Sequence, residues 1–173
     1  MANTRLFREN TRFDLAFPQN FTTWTTPTTT QLNNSGGGLI FNLSTALSEA
    51  GTTFTLGDSD TDDSLTFTQS ASAQSPTFYN PEVVYEVERS SDATATNVAN
   101  TAFGLLFKKG ITYFAIMRIG KAADAVYAVG DRVSLVGVKT DNPVETMGSG
   151  ENIRLTQSFL RTGDVLWQYK LLA

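Results

Sequence analysis

Three segments of this 173-residue chain bring chemistry-bearing side chains close together. Gly57–Ser64 reads GDSDTDDS, and Asp58, Asp60 and Asp62 fill positions one, three and five of an EF-hand calcium loop. Position six, which the sharp turn reserves for Gly, is Asp63, and position twelve, the bidentate Glu, is Gln69. The flanks pattern as strands rather than helices, so the segment reads as an acidic hairpin tip, with loose divalent-cation binding as the alternative. Glu86 and Glu88 are same-face neighbours on a strand, roughly 6.6 Å apart at the usual rise. A carboxylate pair near that separation suits acid/base hydrolysis. However, no aromatic sugar platform accompanies them, and alternating Glu is the ordinary mark of a strand's wet face. Gly148-Ser149-Gly150 opens like a dinucleotide loop, but Ile153 stands where the third Gly belongs and no βαβ unit surrounds it.

Composition closes further routes to catalysis. The chain has neither Cys nor His. That removes the Ser-His-Asp and Cys-His nucleophiles, the commonest general base and most transition-metal sites. No cofactor and no enzyme activity are expected. Net charge is −4 and the pI about 4.8, the reverse of a phosphate-gripping protein. The densest basic stretch, Lys108, Lys109, Arg118, Lys121 and Arg132, is divided between a helix end and scattered strands. Charged residues are 17% of the chain, below the roughly 25% of soluble domains, so Thr, Ser, Asn and Gln carry the polar surface. The start, MANTRLFRENTRFDLAF, lacks an apolar core of signal-peptide length. The apolar runs Phe103–Phe107 and Ile111–Met117 fall short of the ~18 residues of a membrane span, so no membrane anchor is expected.

The elements that position these residues are mainly extended. Arg12–Phe17 alternates, with Phe13, Leu15 and Phe17 on one face and Arg12, Asp14 and Ala16 on the other, as in a half-buried strand. Phe21–Thr30 (FTTWTTPTTT) favours extended backbone but is broken by Pro27, and reads as an extended arm or edge strand. Asn33–Gly38 is a loop, Leu39–Leu43 a short strand, and Thr53–Leu56 pairs with Leu65–Gln69 as a hairpin. Ser70–Pro76 is a polar loop. Val83–Arg89 is a strand with Val83, Tyr85 and Val87 inward. Asp92 caps a helix that carries Lys108 and Lys109 in its last turn and stops at Gly110. Thr112–Ile119 is apolar on both faces and must be covered on both. Arg132–Lys139 is a strand, Asn142–Gly150 a loop, and Thr162-Gly163-Asp164 a turn before a last strand at Val165–Leu171. The length favours one domain over residues 1–173, with an N-terminal arm of about 1–38. The fold class is mainly β: an antiparallel β-sandwich or barrel with one flanking α-helix.

An ordered set of segments resembles the tail tube protein (major tail protein) of long-tailed bacteriophages, particularly those of actinobacterial hosts. The segments are PTTTQLNNSGGG (27–38), LSTAL (43–47), VVYEVERSSDAT (83–94), NTAFGLLFKKG (100–110), YFAIMRIG (113–120), VGDRVSLVGV (129–138) and LTQSFLRTGDVLWQYKLLA (155–173). The resemblance implies a tail-tube-like β-sandwich assembled in the host cytoplasm into hexameric rings of the virion tail. Those rings would stack around a tape-measure protein between the tail terminator and distal tail proteins. The tube would later conduct DNA without binding it specifically. Glu86 and Glu88 are then candidates for lining the lumen. Inter-subunit contacts are expected at Trp24, Asn33, Asn34, Asp58, Asp60, Asp62, Asp63, Asn142 and Glu145. The acidic tip and the Thr-rich arm have no counterpart in the resemblance. A second reading is a secreted or virion-surface β-sandwich binding or decoration protein, with Trp24 exposed in a groove.

Overall fold

The computed structural model describes residues 10–34, 37–58, 60–62, 75–90, 92, 94–147 and 153–172. Strands dominate: β1 (Thr11–Ala16), β2 (Ile40–Asn42), β3 (Thr53–Leu56), β4 (Asp60–Asp62), β5 (Ser75–Phe78), β6 (Pro81–Glu88), β7 (Thr112–Ile119), β8 (Arg132–Thr140), β9 (Val144–Thr146) and β10 (Arg154–Lys170). Two α-helices accompany them among the described residues, the single turn α1 (Thr29–Leu32) and the flank helix α2 (Val98–Leu106). The main sheet has the order β2-β1-β7-β8-β10-β6-β3, with β9 also on β10, and every pairing is antiparallel. β4 and β5 form a separate ribbon.

The long strand β10 joins two layers. Its first residues pair with β6 and β9, and its later residues with β8. The expected turn at Thr162-Gly163-Asp164 is instead a bulge within one strand, with a register shift between Arg161 and Val165 and Gly163 at φ +97°. A bulge bends a strand without ending it. Gly137 on β8 makes room beneath it: a Cβ there would lie 2.9 Å from the Asp164 Cβ and closer still to the Thr162 hydroxyl. A second slip follows at Gln168, whose φ is +53° and whose N–H donates to Ser134 Oγ at 3.1 Å. It reverses the alternation, so Val165 and Trp167 pack on one core while Tyr169 and Leu171 pack on the other.

Those two cores lie on opposite faces of β7. Tyr113, Ala115 and Met117 meet Leu15, Val136 and Val138, the second layer (Phe54, Val83, Tyr85, Val87, Leu155), and Ala102 and Leu106 of α2. Phe114 and Ile116 meet Val133, Leu135, Leu171, Tyr127, Phe21 and Leu32. Both faces of this apolar strand are therefore covered within one chain, the second by the Thr-rich segment and the loop at 121–131.

The Thr-rich segment is not extended. After a 3-10 turn at Pro18–Asn20 it folds back, seats Phe21 and Trp24 on Phe114 at 5.3 and 6.0 Å between ring centres, and ends in α1. A reciprocal capping box starts α1: Thr28 Oγ1 accepts from the Gln31 N–H, and Gln31 Oε1 accepts from the Thr28 N–H. The apolar Phe21, Trp24 and Leu32 override the β preference of the threonines.

Other expectations shift. β3 pairs with β6 rather than with 65–69, which lie outside the described residues. Ser75 and Pro76 belong to β5, and 144–146 form β9 rather than loop. Helix α2 begins later than expected because Asn97, not Asp92, is its cap: Asn97 Oδ1 accepts from the Asn100 N–H at 2.8 Å. Asp92 spends its carboxylate on the Thr94 N–H and hydroxyl. The helix ends at Leu106, so Lys108 and Lys109 lie beyond its last turn. Asn97→Ala should cost about 1 kcal/mol, the usual value of such a cap. A urea midpoint unchanged in that variant would contradict the assignment.

Candidate assembly and lumen surfaces

Period-two alternation fixes the outer face of the second layer. With Val83, Tyr85 and Val87 turned inward, β6 presents Glu82, Val84, Glu86 and Glu88 on its other side. Register places Arg154 opposite Glu88, Thr156 opposite Glu86, and Thr55 opposite Glu82. Arg154 bridges the two glutamates, 3.5 Å from Glu86 and 3.6 Å from Glu88. Glu86 also accepts from the Thr156 hydroxyl at 3.3 Å and is half-buried, whereas Glu82 and Glu88 are exposed. Gly51 passes so close to the Glu86 carboxylate that a side chain at 51 would displace it. The pair is thus a bonded feature of a polar sheet face. Both carboxylates are held by one guanidinium.

The second surface is the loop joining β7 to β8, held down by charges that alternation alone placed on a wet face. Arg12 and Asp14 are buried, Asp14 completely, so β1 is covered on both faces. Arg118 is 1% exposed. Its guanidinium donates to the carbonyls of Ala122 (2.7 Å), Ala125 (2.9 Å) and Val126 (3.1 Å). Arg12 donates to the same Ala125 carbonyl at 2.9 Å, and through Nε to both Asp14 oxygens at 3.0 and 2.9 Å. The Tyr127 ring lies under both guanidinium groups, at 4.6 and 4.9 Å, and its hydroxyl donates to Asp14 at 2.6 Å. Burial pushes the Asp14 carboxyl up against the opposing pull of Arg12 and Tyr127, and burial with the Asp14 charge pushes the Tyr127 hydroxyl well up.

Asp131 closes the loop. It accepts from the Ala128 N–H at 3.0 Å, pairs with Lys121, and lies 3.6 Å from Arg118. Partial desolvation raises its carboxyl, but the bonds from Lys121 and Ala128 outweigh that and hold it below the ordinary value. A depressed carboxyl contributes stability above its unfolded value and loses that contribution as pH falls through the folded value. Asp131→Asn should therefore flatten the acid limb of the stability profile below pH 3.8. Asp14, shifted upward, acts above that pH and with the opposite sign. Urea midpoints across acid pH check this, and identical acid limbs in variant and wild type would contradict it. The loop so pinned presents Val126 and Val129 outward, 69% and 63% exposed.

The residues singled out for subunit contacts are spread across the molecule. Trp24 is half-buried against Phe114. Asn33 is exposed but braces the loop: its Nδ2 donates to the Tyr127 carbonyl and its Oδ1 accepts from the Tyr127 N–H, at 2.9 and 2.8 Å. Asn34, Asp58, Asn142 and Glu145 are exposed. Asp60 and Asp62 sit on β4 opposite Phe78 and Ser75, and Asp63 lies outside the described residues. Glu145 is on β9, across from Leu155. Among the described residues no group of three or more His, Cys, Asp and Glu side chains could hold a metal ion. No described helix is long and apolar enough to cross a membrane. The network of Arg12, Asp14, Arg118, Tyr127 and Asp131 was missed. Its one trace in the sequence is the Arg at the seventh position of the eight-residue strand Thr112–Ile119, directly after the apolar run Tyr113–Met117.

No curated protein matches the chain. A family model described as phage tail tube protein matches residues 1–173, its whole length. The chain belongs to the phage tail tube protein family and is a structural component of the phage tail.

Proposed function

We propose that residues 1–173 act as one tube-forming domain whose copies close into hexameric rings, and that the rings stack into the tail tube of a long-tailed phage. The family match along the whole chain is the observation that carries this reading. Heterologous contacts between identical subunits close rings when the rotation allows, and repetition along the axis makes an open-ended tube. The chain acts here as a building block rather than a catalyst. It is assembled in the host cytoplasm around a tape-measure protein, between terminator and distal tail proteins, and later passes DNA into the host.

The outer face of β6 and β10 is proposed to line the lumen through Glu82, Glu86 and Glu88. Three carboxylates against the single guanidinium of Arg154 leave that face negative, so phosphates are repelled and DNA slides without sticking. Contacts between copies are proposed at Trp24, Asn33, Asn34, Asn142, Glu145 and the acidic segment at Asp58, Asp60, Asp62 and Asp63. The pinned loop at 121–131 joins them, because its exposed valines are held in place by buried charges. Sedimentation velocity over a range of concentrations tests the assembly. A six-copy species giving way to ever larger ones is expected, and a single oligomer of fixed size would contradict it.

A further inference from the structure

The segment that folds back after β1 and the bulge of β10 leave a cleft of about 260 Å³ between them, over the Thr112 end of β7. Phe21, Trp24 and Phe114 give it aromatic walls, and Gly137, with no side chain, lines it through its backbone. The space falls below the ~300 Å³ at which clefts begin to seat small ligands, and it suits protein side chains. Asp164 stands on its rim. Lys139, exposed and two residues from Gly137 on the same face of β8, stands beside it.

The loop at 121–131 has the complementary character. It is rooted at the other end of β7, after Ile119. Val126 and Val129 are exposed, and the buried Tyr127 between them is anchored by its hydroxyl on Asp14 and by its backbone on Asn33. The valines are therefore presented with little ordering left to lose on docking. The exposed Lys121 and Asp124 give the loop one charge of each sign, as Asp164 and Lys139 give the cleft. The anchors that hold the loop also keep it out of the cleft of its own chain. We infer that the aromatic cleft of one copy seats the 121–131 loop of the next, with Val126 and Val129 against Phe21 and Trp24, Asp124 toward Lys139 and Lys121 toward Asp164. Cleft and loop are different surfaces of one chain, so the contact is heterologous and repeats from copy to copy. The inference rests on the assembly reading and names which two of the proposed contact surfaces meet.

The chain has no Cys, so introduced pairs report alone. Thr22 lines the cleft and is exposed, and Val126 is exposed on the loop, so a Cys at either site spares the core. In protein concentrated until electron microscopy shows tubes, Thr22→Cys/Val126→Cys treated with a short bis-maleimide should give a ladder of covalent oligomers. It should form about tenfold faster than with Thr101→Cys/Val126→Cys. Tubes without such a ladder would overturn the inference and leave the tube reading standing. Covalent dimers alone would mean a closed two-fold contact and would overturn the inference. A chain that forms neither tubes nor ladder would fail both readings. Charge exchange gives a second measurement. Asp124→Lys and Lys139→Asp should each raise the concentration needed for tube formation about threefold, and the two together should bring it back. No recovery in the combined variant would overturn the inference.

Discussion

Asp14→Ala should cost the fold about 3–5 kcal/mol, the usual penalty for removing one partner of a buried ion pair. Its carboxylate is fully buried and is the shared acceptor of Arg12 Nε and the Tyr127 hydroxyl. Without it, two buried guanidinium groups share the Tyr127 ring and the Ala125 carbonyl, and among the described residues only Asp131, 3.6 Å from Arg118, is left as counter-charge. For a chain of this length, about 2–4 °C per kcal/mol makes the expected fall in Tm roughly 6–20 °C. Arg12→Met/Asp14→Leu, which removes both charges and keeps apolar volume, should recover much of the loss, because the cost lies in the uncompensated charge. Thermal unfolding of the two variants checks this. A single variant as stable as wild type would show that the network is not what holds the loop at 121–131.

Glu82→Lys/Glu88→Lys should turn the proposed lumen from repelling DNA to holding it. The outer face of β6 and β10 changes from two net negative charges per copy to two net positive, and the half-buried Glu86 stays bonded to Arg154 and Thr156. In a ring of six, that is a change from about −12 to about +12, a field that now attracts phosphates. Binding through six to ten phosphate contacts weakens about 10³–10⁵-fold between 50 and 200 mM salt. Phage carrying the double variant should therefore assemble normal tails, stall in DNA ejection at low salt and recover as salt rises. Ejection by the variant at wild-type rate in low salt would sink the assignment of this face to the lumen.

The readability of the fold varied with how local its causes are. Alternation in Val83, Tyr85 and Val87 and the doubly apolar β7 were legible because strand period and burial are written in neighbouring residues. What covered β7 was not, since seven threonines in Phe21–Thr30 favour extension while the few apolar side chains among and just after them, Phe21, Trp24 and Leu32, decide the packing against the distant Phe114 and its neighbours. Arg12 and Asp14 failed for the same reason. Their alternation looked like a wet face, and only Arg118 and Tyr127, more than 100 residues on, make that face an interior. Trp167 and Tyr169 look in phase, but the slip at Gln168 sends them to different cores. Among the candidate contact residues, Asn33 proved to brace a loop within its own chain, a role set by Tyr127 that no local pattern carries.

Assembly is the claim on which the rest of the functional account depends. Negative-stain electron microscopy of the purified, concentrated protein tests it most directly. Long tubes of uniform width, built of stacked rings with sixfold end views, are the expected result. Discrete particles of one fixed size at every concentration would contradict it.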